Sequence, residues 1–207
     1  MQNPWIFIPL KDYEDHMQRK DVFQAQTLSE RMRLRFADTQ ISSIIILGIA
    51  GGNGLEHASP HVKSIVGVDI NADYLADCKT RFASLDKRLQ LICADLSDPH
   101  LQLPPCDLMT ADLLIEYIGL SSFASLIARS RPMRISCTIQ SDGKTDGFIS
   151  ESPYRDRLDA LRTIHSLIGS NELCETMARL DYILKKKTSV DLPNGKSFLC
   201  LDFSADI

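Results

Sequence analysis

The sequence predicts an α/β fold in which a mostly parallel sheet carries helices on both faces. Three observations predict it: short apolar runs alternate with helical patterns up to residue 140, a glycine-rich turn follows the first apolar run, and an Asn-Gly turn signal lies near the end. Alternating strands and helices form parallel sheets with right-handed crossovers. The late turn, at Pro193-Asn194-Gly195, predicts a hairpin that adds an antiparallel strand. A sheet of seven strands is therefore expected.

The elements follow one another regularly along the chain. An amphipathic helix is predicted over Asp21–Ala37, because its apolar residues recur at helical spacing. Five buried strands are predicted from continuous apolar runs at Ile44–Leu47, Ser64–Asp69, Leu89–Ala94, Asp107–Ala111 and Arg134–Gln140. Helices are expected near Asn53–Leu55, at Ala72–Leu85 with Asn71 as N-cap, at Leu120–Ser130, near Tyr154–Ile168 and at Asn171–Leu180. The hairpin strands are predicted at Tyr182–Val190 and Lys196–Phe203.

Length and composition favour one domain over residues 1–207, with a helical segment at 1–40 that covers a core at 41–207. The net charge of −4 predicts no nucleic-acid partner. The lysine cluster Lys185–Lys187 is expected on an edge strand, with side chains that alternate between its faces. No apolar stretch approaches the length of about 20 residues that a membrane helix needs. A cytoplasmic protein without a membrane partner, either monomer or homodimer, is therefore expected.

The glycine-rich turn predicts a nucleotide site. Glycines at 48, 51, 52 and 54 follow the first strand directly, in the pattern GxAxGxG rather than the dinucleotide pattern GxGxxG. A turn without Cβ atoms lets backbone N–H groups approach a ligand closely. Gly52 is expected to be such a binding glycine, so that a Gly52→Val substitution would block the ligand and leave the fold largely intact.

Four features in order resemble the class I S-adenosylmethionine-dependent methyltransferases. They are the turn Gly48–Gly54, Asp69 in VGVDI, Asp95 in LICADL and the terminal hairpin. More narrowly, LGIAGGNGLEH, DYEDHM and LPNGKSF look like a bacterial group of small methyltransferases without an assigned substrate. The resemblance covers nearly the whole chain. It implies a Rossmann-like domain, S-adenosylmethionine as cofactor, and methyl transfer to a small-molecule acceptor.

The resemblance also implies roles for particular residues. Asp69 would accept both ribose hydroxyls, Asp95 the adenine amine, and the Leu96 N–H would meet an adenine nitrogen. The full set of implied cofactor contacts is Gly48, Ala50, Gly52, Gly54, Asp69, Ile70, Asp95, Leu96, Asp112 and Tyr13.

The sequence leaves alternatives open for three of these acids. Asp69 could instead be a helix N-cap or turn residue, Asp95 a turn residue, and Asp112 a helix cap for Leu113–Tyr117. One departure from the family pattern bears on Asp112. Ile46 stands where many members carry an acid that holds the cofactor's amino group, so Asp112 is a candidate to take over part of that role.

Methyl transfer from a sulfonium is an in-line displacement, so positioning supplies most of the catalysis and a base is optional. If the acceptor must lose a proton, a His or carboxylate at the mouth of the site would accept it. The catalytic candidates by position are Glu116, Tyr117 and His16, and Tyr13 could close over the site beside them. Tyr154 is a further candidate for substrate contact, whereas His57 is expected to belong to the helix after the glycine turn.

Two other functions compete with methylation. A nicotinamide-dependent oxidoreductase shares the glycine turn and the acid on the second strand, but the glycine spacing, Asp95 and the hairpin speak against it. A protein that binds S-adenosylmethionine without methylating anything is the other, because Ile46 replaces the usual acid. No metal site is predicted, since the six cysteines are scattered singly and form no ligand cluster with histidines.

Overall fold

A computed structural model describes residues 2–141 and 149–206 of the chain. Its strands are β1 (Ser43–Leu47), β2 (Ser64–Asp69), β3 (Leu89–Cys93), β4 (Leu108–Asp112), β5 (Arg134–Ser141), β6 (Tyr182–Asp191) and β7 (Ser197–Ala205). The α-helices are α1 (Leu10–Gln18), α2 (Gln24–Ala37), α3 (Ala72–Arg81), α4 (Ile115–Ile118), α5 (Leu120–Ser130), α6 (Arg155–Leu158) and α7 (Ser170–Ala178). Short 3₁₀ helices lie at Pro4–Phe7, Leu55–His57, Ala83–Arg88 and Asp159–Thr163.

The seven strands form one sheet in the order β3-β2-β1-β4-β5-β7-β6. Strands β1 to β5 are mutually parallel, whereas β7 runs antiparallel to both β5 and β6. The predicted, mostly parallel sheet with a terminal hairpin is thus confirmed. The strand order reverses between β1 and β4, and ligands of open α/β sheets bind outside the carboxyl ends of the strands at such a reversal.

Apolar side chains of the parallel strands pack against helices on both faces of the sheet. On one face, Ile45 and Met109 belong to a cluster with Phe123 of α5 and Met177 of α7. On the other face, Ile44 packs in a cluster that includes residues of α2 and α3. Because both faces are covered, the strands read as continuous apolar runs, as the sequence pattern predicted.

Four predicted helices are shorter than expected. The helix predicted over Asp21–Ala37 begins at Gln24, and the helix predicted at Asn171–Leu180 ends at Ala178. The helix that begins after Asn71 ends at Arg81, and a 3₁₀ helix with a kink at Asp86 (φ 44°) continues the chain. The helix expected near Tyr154–Ile168 consists of the four-residue α6 followed by a 3₁₀ helix. Among the described residues, no helix combines the length and the apolar composition that a membrane crossing requires.

Candidate functional site

A cavity lies at the carboxyl ends of β1 to β4, where the strand order reverses. Eight of the ten residues predicted to contact the cofactor line it, namely Gly48, Ala50, Asp69, Ile70, Asp95, Leu96, Asp112 and Tyr13. The remaining two, Gly52 and Gly54, do not line this cavity. Five separate chain segments therefore meet at this cavity: four lie at the ends of the parallel strands β1 to β4, and the fifth, which contains Tyr13, covers those strand ends.

Asp69 lies at the end of β2 and is 8% exposed. The Ala50 N–H donates to its Oδ2 and the Asn71 N–H to its Oδ1, each over 2.9 Å. Burial raises the pKa of Asp69, although these backbone donors oppose the shift. The N-cap of α3 is Asn71, whose side chain accepts the N–H groups of Asp73 and Tyr74, so the helix-cap alternative for Asp69 is wrong.

Asp95 follows β3 on the exposed rim of the cavity. Its Oδ1 accepts hydrogen bonds from the N–H of Ser97 (2.8 Å) and from the Ser97 hydroxyl (2.6 Å), which is an Asx turn. Asp95 is therefore a turn residue, and since its carboxylate also lies on the cavity wall, the turn does not exclude a contact with the adenine. Leu96, the next residue, is buried on that wall.

The glycines of the turn have two different environments. Gly48 (φ +68°) lines the cavity, and a Cβ there would lie 3.1 Å from the flexible end of Leu114. A Cβ on Gly52 (φ +89°) would approach Phe82 to 2.7 Å and Cys78 to 2.9 Å. The expectation that Gly52→Val would leave the fold largely intact is therefore wrong, because a side chain at Gly52 meets α3 and the residue after it.

Gly54 (φ +91°) packs in the same way against α2, since a Cβ there would lie 2.5 Å from the Met32 Cβ. A second cavity of about 220 Å³ lies between this turn and α1. It shares Tyr13, Gly48, Ala50 and Asp112 with the first cavity, whose volume is about 70 Å³. The two cavities thus lie on either side of Gly48, and Gly52 lines only the second.

Asp112 ends β4 and is held by a buried ion pair with Arg35 of α2. Two guanidinium nitrogens of Arg35 donate to its two carboxylate oxygens over 2.5 and 2.8 Å. Burial opposes ionisation, but the Arg35 charge lowers the pKa of Asp112 below its usual value. No side chain caps α4, which begins at Ile115, so the helix-cap alternative for Asp112 is wrong. Ile46 is buried in the apolar cluster that contains Met32.

Aromatic side chains of the N-terminal segment cover the cavity. The ring centroid of Trp5 lies 5.3 Å from that of Tyr13 and 5.1 Å from that of Tyr117, both in edge-to-face geometry. The Asn71 amide donates to the Trp5 carbonyl (2.9 Å), and the Tyr74 hydroxyl donates to the Ile8 carbonyl (2.9 Å). These bonds fasten residues 5–8 over the end of β2.

Sequence reasoning missed Trp5 and Tyr74, which both line the cavity. A signal for Trp5 was present, since it is the only tryptophan in the chain.

A third cavity, of about 60 Å³, adjoins the first and contains all three predicted catalytic residues. The two share Trp5, Tyr13, Leu113 and Tyr117 as a common wall. The other residues that line the third cavity are His16, Met17, Gln24, Glu116, Gln140, Ile149, Leu158, Leu161 and His165. An apolar wall with a few polar groups is typical of a small-molecule site.

His16 and Glu116 are the two buried proton-accepting candidates in this third cavity. His16 is 4% exposed, and its Nδ1 lies 2.7 Å from the Ser152 hydroxyl. Burial lowers the pKa of His16 to about 4, aided by the positive charges of Lys196 and Arg19. Glu116 of α4 is 2% exposed, and its Oε1 accepts the Gln140 N–H over 2.8 Å.

Two other predicted residues lie away from these cavities. The Tyr154 hydroxyl donates to Asp15 over 3.1 Å, and Tyr154 lines neither the first nor the third cavity. His57 lies in the 3₁₀ helix after the glycine turn, as expected, beside Ser29. Within residues 2–141 and 149–206, no group of three His, Cys, Asp or Glu side chains has a geometry that could hold a metal ion.

Solved structures with the same architecture identify the fold. The N-methyltransferase NodS from Bradyrhizobium japonicum WM9, in complex with S-adenosyl-L-homocysteine, matches with a TM-score of 0.65 and 12% identity over 100% of both chains. The methyltransferase domain of bacterial CtHen1-C matches with a TM-score of 0.65 and 16% identity, over 89% of this chain and 97% of that one. The chain has the fold of S-adenosylmethionine-dependent methyltransferases.

The methyltransferase fold does not by itself determine the reaction. The [4+2]-cyclase SpnF also matches, with a TM-score of 0.65 and 12% identity over 87% of this chain and 81% of that one. No family model and no curated protein matches the sequence.

Proposed function

We propose that the protein is an S-adenosylmethionine-dependent methyltransferase that acts on a small molecule. One observation carries this proposal: the first cavity, lined by Gly48, Asp69 and Asp95, shares a wall with the third cavity, which holds His16 and Glu116. A cofactor site and a polar acceptor site that meet at one wall are what group transfer between two bound molecules requires.

The groups that line the first cavity fit an adenosyl ligand chemically. Each carboxylate oxygen of Asp69 accepts one backbone N–H and keeps lone-pair capacity for a ribose hydroxyl. Asp95 uses Oδ1 for its own turn, which leaves Oδ2 to accept from the adenine amine. The Leu96 N–H would donate to an adenine nitrogen, and Ile70 would border the ribose.

The methionine end of the cofactor would lie over Gly48 and Ala50, which line both the first and the second cavity. Asp112 lies on the wall of both cavities and would accept from the amino group while its ion pair with Arg35 holds it in place. The family acid missing at Ile46 would thus be replaced by an acid from the neighbouring strand. Tyr13 lines all three cavities and would separate the cofactor from solvent.

The bound cofactor supplies an electrophilic methyl group on a positively charged sulfur. The protein's own contribution is to hold the acceptor against the shared wall of Trp5, Tyr13, Leu113 and Tyr117 and to exclude water there. His16 is neutral at pH 7, because its pKa is about 4, so it would orient an acceptor hydroxyl or amine through a hydrogen bond rather than act as the base. Glu116 lies in the same cavity and would be the group that takes the proton.

The small volume of the third cavity, about 60 Å³, favours a small acceptor over a polymer. Residues of the N-terminal segment, of α4 and of the region 149–165 line it. The cysteines are all free, which suits a reducing compartment such as the cytoplasm.

Calorimetric titration of the purified protein with S-adenosylmethionine, S-adenosylhomocysteine and NADH tests the cofactor assignment. We expect both adenosyl ligands to bind with a Kd of about 1–10 µM, a favourable free energy of about 7–8 kcal/mol, and NADH not to bind. Binding of NADH alone, or of none of the three, would overturn the proposal. Incubation with deuteromethyl cofactor and a metabolite extract, followed by mass spectrometry, then separates a methyltransferase from a protein that only binds the cofactor.

A further inference from the structure

A groove of about 420 Å³ lies at the end of the sheet opposite the first cavity, which is the proposed cofactor cavity. Its walls include Ile41 before β1, Leu108 at the start of β4 and Arg134 at the start of β5, which are the amino ends of the parallel strands. The helix α2 forms one side of the groove, and β7 and β6 form the other. Five basic side chains line it, namely Arg31, Arg35, Arg134, Lys185 and Lys186, together with the acids Asp38 and Asp202.

A β-bulge brings two consecutive lysines to this groove. The pairing of β6 with β7 shifts register between Leu184 and Lys186, so Lys185 is the extra residue. Neighbouring side chains of a regular strand point to opposite faces, but a bulge re-aims them. Both Lys185 and Lys186 line the groove, whereas Lys187 donates to the Ser170 hydroxyl of α7 over 2.8 Å. The expectation that Lys185–Lys187 would alternate between faces is therefore wrong for the first two.

Arg31 adds a fixed guanidinium to the groove. One of its terminal nitrogens donates to Asp202 (3.0 Å) and to Ser136 (3.2 Å), and its side chain is only 11% exposed. Within the part of the chain that the structure describes, its buried Nε–H has no acceptor. A buried donor without a partner is unfavourable, which makes Arg31 a candidate to donate to an anion in the groove.

The charges of the groove do not cancel. Arg31 pairs with Asp202, and Arg134 pairs with Asp38 over 2.7 Å. Arg35 is paired with Asp112 from outside the groove. For Lys185 and Lys186 no ion pair is formed with any acid of the described residues. A protein of net charge −4 thus concentrates positive charge at one groove.

We propose that this groove binds a di- or triphosphate group, at a site separate from the cofactor cavity. A guanidinium fork with a free N–H suits phosphate oxygens, and two ammonium groups beside it balance more charge than a single carboxylate carries. This site does not depend on the function proposed for the cofactor cavity, and its ligand would bind whether or not the protein methylates anything.

Calorimetric titration with sodium tripolyphosphate at low ionic strength tests this site. We expect the unaltered protein to bind one equivalent, and the double variant Lys185→Ala/Lys186→Ala to bind about tenfold more weakly. The matched control is Lys187→Ala, which removes the same charge from the next residue of the strand but from its other face, and which should leave the affinity within about twofold. All three lysines are exposed, so the melting temperatures of these variants should agree.

Three outcomes would overturn the proposal. The first is no binding of tripolyphosphate at millimolar concentration. The second is an equal loss of affinity in Lys187→Ala and in the double variant, since the binding would then reflect diffuse charge. The third is tighter binding of a short single-stranded RNA than of tripolyphosphate, because the groove would then serve a polymer backbone. An Arg31→Lys variant that retains full affinity would separately exclude the role assigned to the Nε–H.

Discussion

The first cavity, which is the proposed cofactor cavity, and the third cavity, which is the proposed acceptor cavity, share a wall but are built in different ways. In the cofactor cavity, Gly48 follows β1, Asp69 is the last residue of β2, and Asp95 lies two residues after β3. In the acceptor cavity, His16 comes from α1 and Glu116 from α4, and the other side chains include residues of α2, of β5 and of the region 149–165. The first cavity therefore depends on where strands end, which is local in sequence, and the second depends on how distant helices pack.

A substitution in the glycine turn has the largest expected effect. It tests whether the cofactor cavity depends only on local sequence or also on packing against α3. A Gly52→Val substitution should lower the free energy of unfolding by about 4 kcal/mol, because the side chain overpacks against α3 and the backbone keeps a left-handed φ. Urea denaturation followed by circular dichroism measures it.

The matched control for this variant is Gly48→Ala in the same turn. Its Cβ would meet only the flexible end of Leu114, so we expect a loss of about 1 kcal/mol from the backbone conformation. If Gly52→Val were as stable as Gly48→Ala, the turn would not pack against α3. Both glycines would then have to be assigned to ligand binding.

His16 tests the acceptor cavity through the pH dependence of stability. Its pKa falls from 6.5 to about 4 on folding, so the unfolded chain binds the proton more tightly than the folded protein does. The contribution of neutral His16 is complete above pH 6.5 and is lost as the pH falls toward 4. Between pH 7 and pH 4, the parent should lose about 3 kcal/mol more stability than a His16→Asn variant.

The measurement is urea denaturation of both proteins across that pH range. Other groups titrate in both proteins, so the difference between the two curves isolates His16. If the free energies of unfolding of the two proteins changed in parallel with pH, His16 would be solvated. The acceptor cavity would then be open to water at His16.

Asp69 gives the smallest of the three effects and tests the cofactor cavity directly. An Asp69→Ala substitution should weaken S-adenosylhomocysteine binding by about 2 kcal/mol, or about thirtyfold, because the ribose hydroxyls lose a charged acceptor. Calorimetry measures it, with the exposed Asp77→Ala on α3 as control. Unchanged affinity in Asp69→Ala would contradict the assignment of Asp69 as the acceptor of the ribose hydroxyls.

The regular elements were largely predictable because their signals are local. The bounds of β2 and α5 agree with the prediction, since an apolar run defines the strand and an amphipathic pattern defines the helix. The helix after Asn71 was predicted four residues too long, because nothing in its periodicity marks the end of α3 at Arg81. The placement of Lys185 was missed for a similar reason, since a bulge depends on pairing with β7 and leaves no pattern in its own strand.

The sequence by itself determined the sheet, its terminal hairpin and the strand ends at which Gly48, Asp69 and Asp95 lie, because periodicity and turn chemistry act over a few residues. Only the tertiary structure decided that Asp112 pairs with Arg35, 77 residues away, and that Gly52 packs closely against α3. The acceptor cavity likewise exists only after α1, α4 and the region 149–165 have packed together. Burial and ion pairing depend on neighbours that are distant along the chain, and a local pattern does not contain them.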